Sequence, residues 1–150
     1  MRTVRTGSAS GGPVGRVHDA GVRVRYAETD AQGIVNNAAY LLYFEVGRVE
    51  WLRAAGYTYA AMEREGFGFV VAEALVRYAR PARFDDDLTV RTRLVRLGRV
   101  SLDFEYEVLR EGAPLATGRT RHGCVDLASG RTSRIPDGLL RLRSDGRTAR

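Results

Sequence analysis

An acidic residue in a short polar loop ahead of a helix is the feature of this sequence that most suggests chemistry. Asp30 lies in the segment 28–35, which connects a strand-like stretch to a helical one. The first N–H groups of a helix have no partner within it and lie at the positive end of its dipole, so they can hold an oxyanion. A carboxylate beside them suits acyl chemistry. The simpler interpretation of Asp30, three residues before Gly33, is a turn or capping residue.

The helix that follows contains a second acid, Glu45, fifteen residues after Asp30. It lies in the apolar half of the helix, where an unpaired carboxylate is costly to bury, so it needs a partner. The structural interpretation pairs it with Arg48, one turn further along. Tyr40 and Phe44 recur at helical spacing and line either the core or an acyl pocket.

Length and composition describe one ordinary globular domain. The 150 residues are 44% hydrophobic and 28% charged, which suits a chain with a real core and excludes wholesale disorder. No stretch approaches the roughly 18 apolar residues of a membrane span, so we expect a cytoplasmic protein without membrane contact. A single Cys124 and two histidines exclude a zinc site built on paired cysteines, and no metal is expected. His122 has no nucleophile beside it and is left out of the site.

The net charge of +6 invites a nucleic-acid hypothesis, which its distribution argues against. Residues 1–25 carry five arginines against one acid, and residues 131–150 carry six against two. Between them, residues 26–130 carry thirteen arginines against fifteen acids, so the folded part is slightly acidic. We therefore expect no nucleic-acid partner.

The hydrophobic periodicity predicts an α+β domain. Helical spacing predicts a long helix from Asn36 or Asn37 to Ala55, uncharged over 38–44 and therefore enclosed, with a second helical piece over 59–65. Alternation with a period of two predicts the strands, over 21–27, 67–80, 88–94, 100–108 and 115–127. The expected fold is an antiparallel sheet of about five strands wrapped around one long central helix. Residues 1–20 are expected to be a flexible leader, 21–140 the domain and 141–150 a disordered tail.

Three segments carry a family signature. Residues 24–45 contain an Asp in a strand-to-helix loop, a Gly three residues on, a Tyr ten residues on and a closing Phe-Glu, namely Asp30, Gly33, Tyr40, Phe44 and Glu45. Residues 78–88 and 125–131 match later parts of the pattern. The chain resembles the 4-hydroxybenzoyl-CoA thioesterase family of hotdog-fold acyl-CoA thioesterases over about residues 21–140.

The resemblance implies a role for each matching residue. In the family a backbone N–H at the start of the helix polarises the thioester carbonyl, and that donor falls on Asn37. Asp30 would attack the carbonyl or activate a water that does so. Glu45 would be a wall of the acyl pocket or a second carboxylate, as an alternative to its pairing with Arg48. The remaining substrate-binding positions are Gly33, Val35, Tyr40 and Phe44.

The family also implies a place for coenzyme A, which enters as part of the substrate and not as a cofactor. Its nucleotide phosphates would lie near the hairpin at 96–101, where Arg99 and Ser101 match best. A guanidinium at a turn can bind phosphate in a bidentate manner. The alternative interpretation of Arg99 is solvated hairpin charge.

The function expected from these residues is hydrolysis of a small or medium acyl-CoA thioester, including aromatic acyl groups. The alternatives are an acyl carrier protein thioesterase and a non-catalytic acyl-CoA binding hotdog protein. A dehydratase of the same fold would need a catalytic His near the helix start, where neither His18 nor His122 lies. A homo-oligomer, a dimer or a homotetramer, is expected because the sheet edge and one helix flank need cover.

Overall fold

The computed structural model describes residues 16–142. Its main elements follow one another as one strand, two helices, four strands and a short final helix. They are β1 (His18–Arg23), α1 (Ala39–Ala54), α2 (Tyr59–Arg64), β2 (Phe67–Tyr78), β3 (Asp87–Leu97), β4 (Ser101–Arg110), β5 (Ala113–Asp126) and α3 (Asp137–Leu140). A 3-10 turn at Tyr26–Glu28 precedes the Asp30 loop. In the described part of the chain, no helix has the length and apolar character needed to cross a membrane.

The five strands form one antiparallel sheet in the order β1-β3-β4-β5-β2. The sheet curls around α1, whose core-facing side packs against β1, β3 and β4. This is the hotdog architecture, and it confirms the predicted α+β class with one long central helix.

Close contacts between α1 and the sheet explain why the first half of the helix is uncharged. The ring of Phe44 stacks on that of Tyr106 with centroids 4.2 Å apart. Gly118 leaves the space that the Phe44 ring fills, since a Cβ there would collide with it. Gly47 likewise brings the helix backbone against Thr92. Helix and sheet therefore approach at positions where a larger residue would force them apart.

Strand β1 begins earlier than predicted. It starts at His18, so the predicted leader 1–20 is too long at its carboxyl end. The indole N–H of Trp51 donates to the carbonyl oxygen of Arg16 at 2.6 Å, which ties this segment to α1. Residues 18–20 form a strand because they pair with β3, although their composition alone predicts a flexible segment. Residues 1–15 and 143–150 lie outside the described residues, and Leu142, in the predicted tail, packs against the core.

A β-bulge changes the predicted faces of β2. The pairing with β5 shifts between Val71 and Glu73, so the residues before and after the shift alternate in opposite phase. Val71 lies opposite buried His122, whereas Val70 lies opposite Gly123 on the other face. The predicted single face through Val70 and Ala72 is therefore wrong, because one extra residue turns a strand over.

On the outer face of the sheet, the buried carboxylate of Asp103 binds three arginines. The Asp103 side chain is 0% exposed and receives hydrogen bonds from Arg96 at 2.9 Å, Arg119 at 2.6 Å and Arg121 at 3.0 Å. Burial alone would raise the pKa of Asp103, but the three guanidinium groups hold it well below its usual value. Because the folded state has the lower pKa, the carboxylate stabilises the fold at neutral pH, and this contribution is lost as the pH falls.

We expect Asp103→Asn to lower the free energy of unfolding by about 3 kcal/mol at pH 7, since it leaves three guanidinium groups without their shared partner. Urea unfolding would measure the loss. Glu105→Gln is the control, because the Glu105 side chain is half exposed and 3.6 Å from Arg119, and it should change the stability by less than about 1 kcal/mol. The difference from wild type should shrink below pH 3.8, the ordinary pKa of the carboxyl. Equal effects of both variants would contradict this account.

Candidate active site

The Asp30 loop is a tight turn held by its own backbone. The Asp30 N–H donates to the carbonyl oxygen of Ile34 at 3.0 Å, and the Gly33 N–H donates to the carbonyl oxygen of Asp30 at 2.9 Å. Gly33 has a φ of 77°, a conformation that favours glycine, while no atom lies where its Cβ would be. Gly33 is therefore needed because the loop requires a positive φ at this position, and not because a side chain would collide with its surroundings.

The carboxylate of Asp30 takes part in this turn with one oxygen. Its Oδ1 accepts the Gln32 N–H at 2.8 Å, which is the turn role that the simpler interpretation predicts. Oδ2 has no hydrogen-bond donor among residues 16–142, and the residue is exposed. The turn thus orients the side chain and leaves one carboxylate oxygen available to a substrate.

Backbone contacts fix the loop on the body of the domain. The buried Val35 donates its N–H to the carbonyl oxygen of Ala82 at 2.8 Å and bridges to Thr29. The Asn36 N–H donates to the carbonyl oxygen of Glu28 at 2.8 Å. Val35 therefore supports the loop from below, and the contact with substrate that was predicted for it remains a prediction.

Glu28, which the sequence pattern does not single out, anchors the Asp30 loop from beneath. Its side chain is 7% exposed, and it accepts the Arg25 N–H at 2.8 Å, the Arg25 guanidinium at 2.9 Å and the Tyr43 hydroxyl at 3.0 Å. Burial would raise the pKa of Glu28, but these donors together hold it below its usual value. The spacing of Arg25 and Glu28, as in a capping box, is the sequence signal that could have identified it.

The start of α1 leaves backbone N–H groups without an acceptor among residues 16–142, and the Asn37 N–H is one of them. The Asn36 side chain accepts the Ala38 N–H at 2.7 Å, but the N-cap of α1 is Ala38, so neither Asn36 nor Asn37 occupies the predicted cap position. The carbonyl oxygen of Asn37 accepts the Tyr78 hydroxyl at 2.8 Å, whereas its N–H has no acceptor among residues 16–142. Asn37 is thus a fixed residue whose free N–H suits the predicted oxyanion role.

An open cleft runs along α1 from this point. On the inner face of β2, Val71 is 54% exposed and Tyr78 is 50% exposed, and Ala74 is exposed as well. On α1, Leu41 and Glu45 form the exposed flank. We call the space between this flank and the inner face of β2 the α1–β2 cleft. Its exposed apolar side chains are of the kind that bind an acyl group.

The predicted pair between Glu45 and Arg48 does not form. Within residues 16–142, Glu45 has no ion pair, and its side chain is exposed at the cleft. The pairing with Arg48 is therefore wrong, and the roles of Glu45 as a wall of the acyl pocket or as a second carboxylate near the thioester stay predictions.

Tyr40 and Phe44 are core residues at the inner border of the cleft. Tyr40 is buried and packs edge-on against Tyr78, with ring centroids 5.2 Å apart. Phe44 is fully buried on Tyr106. Both side chains lie in the core beneath the first half of α1, which confirms the core interpretation for them. Their contact with substrate stays a prediction.

Arg99 and Ser101 lie at the other end of the sheet. The hairpin that carries them follows β3, whose eleven residues start beside the Asp30 loop and span about 33 Å. The Ser101 hydroxyl accepts a hydrogen bond from Arg96 at 2.7 Å, and Arg99 is exposed. Within one subunit the structure does not bring these two residues to Asp30.

The comparisons with known proteins agree with this arrangement. The family model described as the thioesterase-like superfamily matches residues 24–142. Acyl-CoA thioesterase YbgC of Haemophilus influenzae is 36% identical over 107 residues, which cover 71% of this chain and 79% of that protein. Acyl-CoA thioester hydrolase YbgC of Escherichia coli O6:H1 is 32% identical over 120 residues, covering 79% and 90%.

Solved structures show the same fold. The crystal structure of protein TT1821 from Thermus thermophilus superposes with a TM-score of 0.81 at 41% identity, covering 87% of this chain and 97% of that one. The DHNA-CoA thioesterase of Staphylococcus aureus has a TM-score of 0.83 at 24% identity, with 87% and 91% covered. At that identity the second likeness concerns the fold alone.

The fold and the family match together define a thioester hydrolase. The chain belongs to the thioesterase-like superfamily, since the family model covers most of its length. The resemblance found in the sequence and the enzyme class that it implies are both confirmed.

We expect Glu28→Gln to lower the free energy of unfolding by about 2 kcal/mol at pH 7, because the amide cannot replace a carboxylate that accepts three hydrogen bonds. Glu63→Gln, at an exposed position of α2, is the control and should be neutral. The folded state has the lower pKa, so the advantage of the wild type should decline as the pH falls below 4.5, the ordinary value for Glu28. Urea titrations at several pH values test this, and a pH-independent difference would contradict it.

Proposed function

We propose that the protein hydrolyses acyl-CoA thioesters of small or medium, including aromatic, acyl groups, with Asp30 and the Asn37 N–H as its catalytic groups. The observation that carries the proposal is a pair of unused groups in the short segment that leads into α1. Asp30 has one carboxylate oxygen without a donor, and the Asn37 N–H has no acceptor within residues 16–142. The names of the two YbgC relatives support coenzyme A as the carrier.

The Asn37 N–H would stabilise the negative charge that develops on the thioester oxygen. Asp30 would attack the carbonyl carbon and expel the coenzyme A thiolate, which leaves a mixed anhydride that water hydrolyses. In the alternative, the Asp30 carboxylate takes a proton from a water that attacks the same carbon. Both routes consume one water and release a carboxylic acid and a thiol.

The carrier of the acyl group and the location of the protein remain part of the proposal. An acyl carrier protein thioester would present the same reacting atoms to Asp30 and Asn37, so it stays the alternative substrate. A non-catalytic acyl-CoA binder would use the cleft without needing the Asp30 carboxylate. A cytoplasmic location and catalysis without a metal or a resident cofactor stay predictions from the sequence.

The exposed edge of β2 supports a homo-oligomer. Among residues 16–142, β2 pairs only with β5, and Val71 on its inner face is 54% exposed although it is apolar. Antiparallel pairing of two β2 edges would extend the sheet and let the partner subunit cover the α1–β2 cleft. It would also turn the partner's 97–101 hairpin to the end of the sheet where Asp30 lies. This is how Arg99 and Ser101 could approach the coenzyme A of a neighbouring site.

We expect light scattering of the purified protein to give at least twice the chain mass of 16.6 kDa. Val71→Glu places a charge on the proposed interface and should lower the mass toward the monomer. Val17→Glu, at an exposed valine ahead of β1 that is 45% accessible, is the matched control and should leave the mass unchanged. A monomeric wild type, or equal dissociation of both variants, would contradict pairing through β2.

We expect Asp30→Asn to lower kcat with acyl-CoA substrates by roughly two or more orders of magnitude while binding survives, because the amide can neither attack nor accept a proton. Asp126→Asn is the matched control. Asp126 accepts the Ser129 N–H at 2.8 Å in a similar turn, but it lies at the end of β5 that is far from Asp30. Thiol release measures turnover, and isothermal titration measures binding. Near wild-type turnover of Asp30→Asn would return Asp30 to its turn role. Binding without turnover by the wild type would favour the non-catalytic alternative.

A further inference from the structure

The guanidinium of Arg48, a residue of α1, has no carboxylate partner among residues 16–142. The Arg48 side chain is mostly buried and in polar contact with the hydroxyl groups of Tyr59 and Tyr106. Among residues 16–142 no carboxylate lies within 4.0 Å of it, and its buried Nε has no hydrogen-bond partner. A mostly buried charge without a partner is costly, so Arg48 needs a counter-charge, which residues 16–142 do not supply.

The groups around Arg48 are neutral. The hydroxyls of Tyr106 and Thr120 are 2.6 Å apart, and the Thr120 hydroxyl is 2.7 Å from Nε2 of His122. Burial, and secondarily the charge of Arg48, lower the pKa of His122 to about 4, so the imidazole is uncharged at pH 7. His122 is thus a satisfied buried histidine, and the cluster carries one positive charge.

Arg48 lies at the far end of the α1–β2 cleft. It follows Leu41 of the exposed flank by seven residues, which is about two helical turns and about 10 Å along the axis, so the two lie on nearly the same side of α1. Side chains of a helix lean toward its amino end, which directs the guanidinium back toward Asn37. Tyr59 of α2 packs against Phe69 of β2 with ring centroids 6.2 Å apart and closes the cleft behind Arg48.

We propose that Arg48 is a specificity-determining residue that binds a carboxylate at the far end of the acyl group. The inference rests on the proposed function, since it takes the thioester carbonyl to lie at Asn37. A carboxylate matches the planar fork of a guanidinium and supplies the missing negative charge. The preferred substrates are then monothioesters of dicarboxylic acids long enough to reach from Asn37 to Arg48.

A panel of matched coenzyme A thioesters tests this. Succinyl-, adipyl- and suberyl-CoA are compared with butyryl-, hexanoyl- and octanoyl-CoA, and kcat/KM is measured for each. We expect the wild type to favour the carboxylate-terminated member at the longer lengths. Arg48→Met should reduce the ratio of suberyl- to octanoyl-CoA kcat/KM roughly tenfold or more. Arg48→Lys keeps the positive charge but lacks the planar guanidinium, so it should retain part of the wild-type ratio of suberyl- to octanoyl-CoA kcat/KM.

Controls separate recognition from folding and from the proposed function. Arg53→Met removes an exposed arginine of the same helix, which pairs with Glu50 at 3.4 Å, and should leave the ratio unchanged. Tyr59→Phe keeps the aromatic packing and should reduce the ratio by loosening Arg48. Urea unfolding checks that each variant is folded.

Two outcomes would overturn the proposal for Arg48 while thioester hydrolysis itself stands. One is a wild type that hydrolyses the apolar series as well as the carboxylate-terminated one at every length. The other is an Arg48→Met variant that loses oligomer stability but keeps the wild-type ratio, which would mean that Arg48 pairs with Glu45 of the partner subunit. Absence of hydrolysis with every substrate would instead contradict the proposed function.

Discussion

One helix cannot cover a sheet of five strands, and the rest of this molecule depends on that limit. α1 packs against β1, β3 and β4, where Gly47 and Gly118 let the backbone and the Phe44 ring approach closely. The inner face of β2 remains open, with Val71 and Tyr78 about half exposed. The uncovered strip is at once the candidate cleft for an acyl group and the edge at which a second subunit could pair. In the proposed function, substrate binding and assembly would therefore use the same surface.

Two sets of fixed groups meet at the amino end of that cleft. Glu28 holds the loop from below through Arg25 and Tyr43, so the backbone that carries Asp30 starts from a buried anchor. Tyr78 holds the Asn37 carbonyl from the side of β2. Groups that are positioned before the substrate arrives need little reorganisation during the reaction, which is the condition for effective stabilisation of an oxyanion. The two catalytic candidates thus depend on residues that do no chemistry themselves.

The charged residues also divide by role. On the outer face of the sheet, Asp103 gathers Arg96, Arg119 and Arg121 around one buried carboxylate. Beneath α1 the situation is reversed, since Arg48 is enclosed by hydroxyl groups with no carboxylate among residues 16–142. The first arrangement is complete within the subunit and explains stability. The second lacks a counter-charge among residues 16–142, which is why we propose a ligand for it.

The sequence by itself determined the α+β class, the long enclosed helix, the alternation of β4 and the loop with Asp30, because these follow from local periodicity and turn chemistry. The tertiary structure alone decided which strand is uncovered, the phase of β2 after its bulge, the burial of Glu28 and the distance of Arg99 from Asp30. Those depend on register and on strand order, which join residues far apart in the chain. A one-residue shift of pairing turns a strand over, and no local pattern of side chains records it.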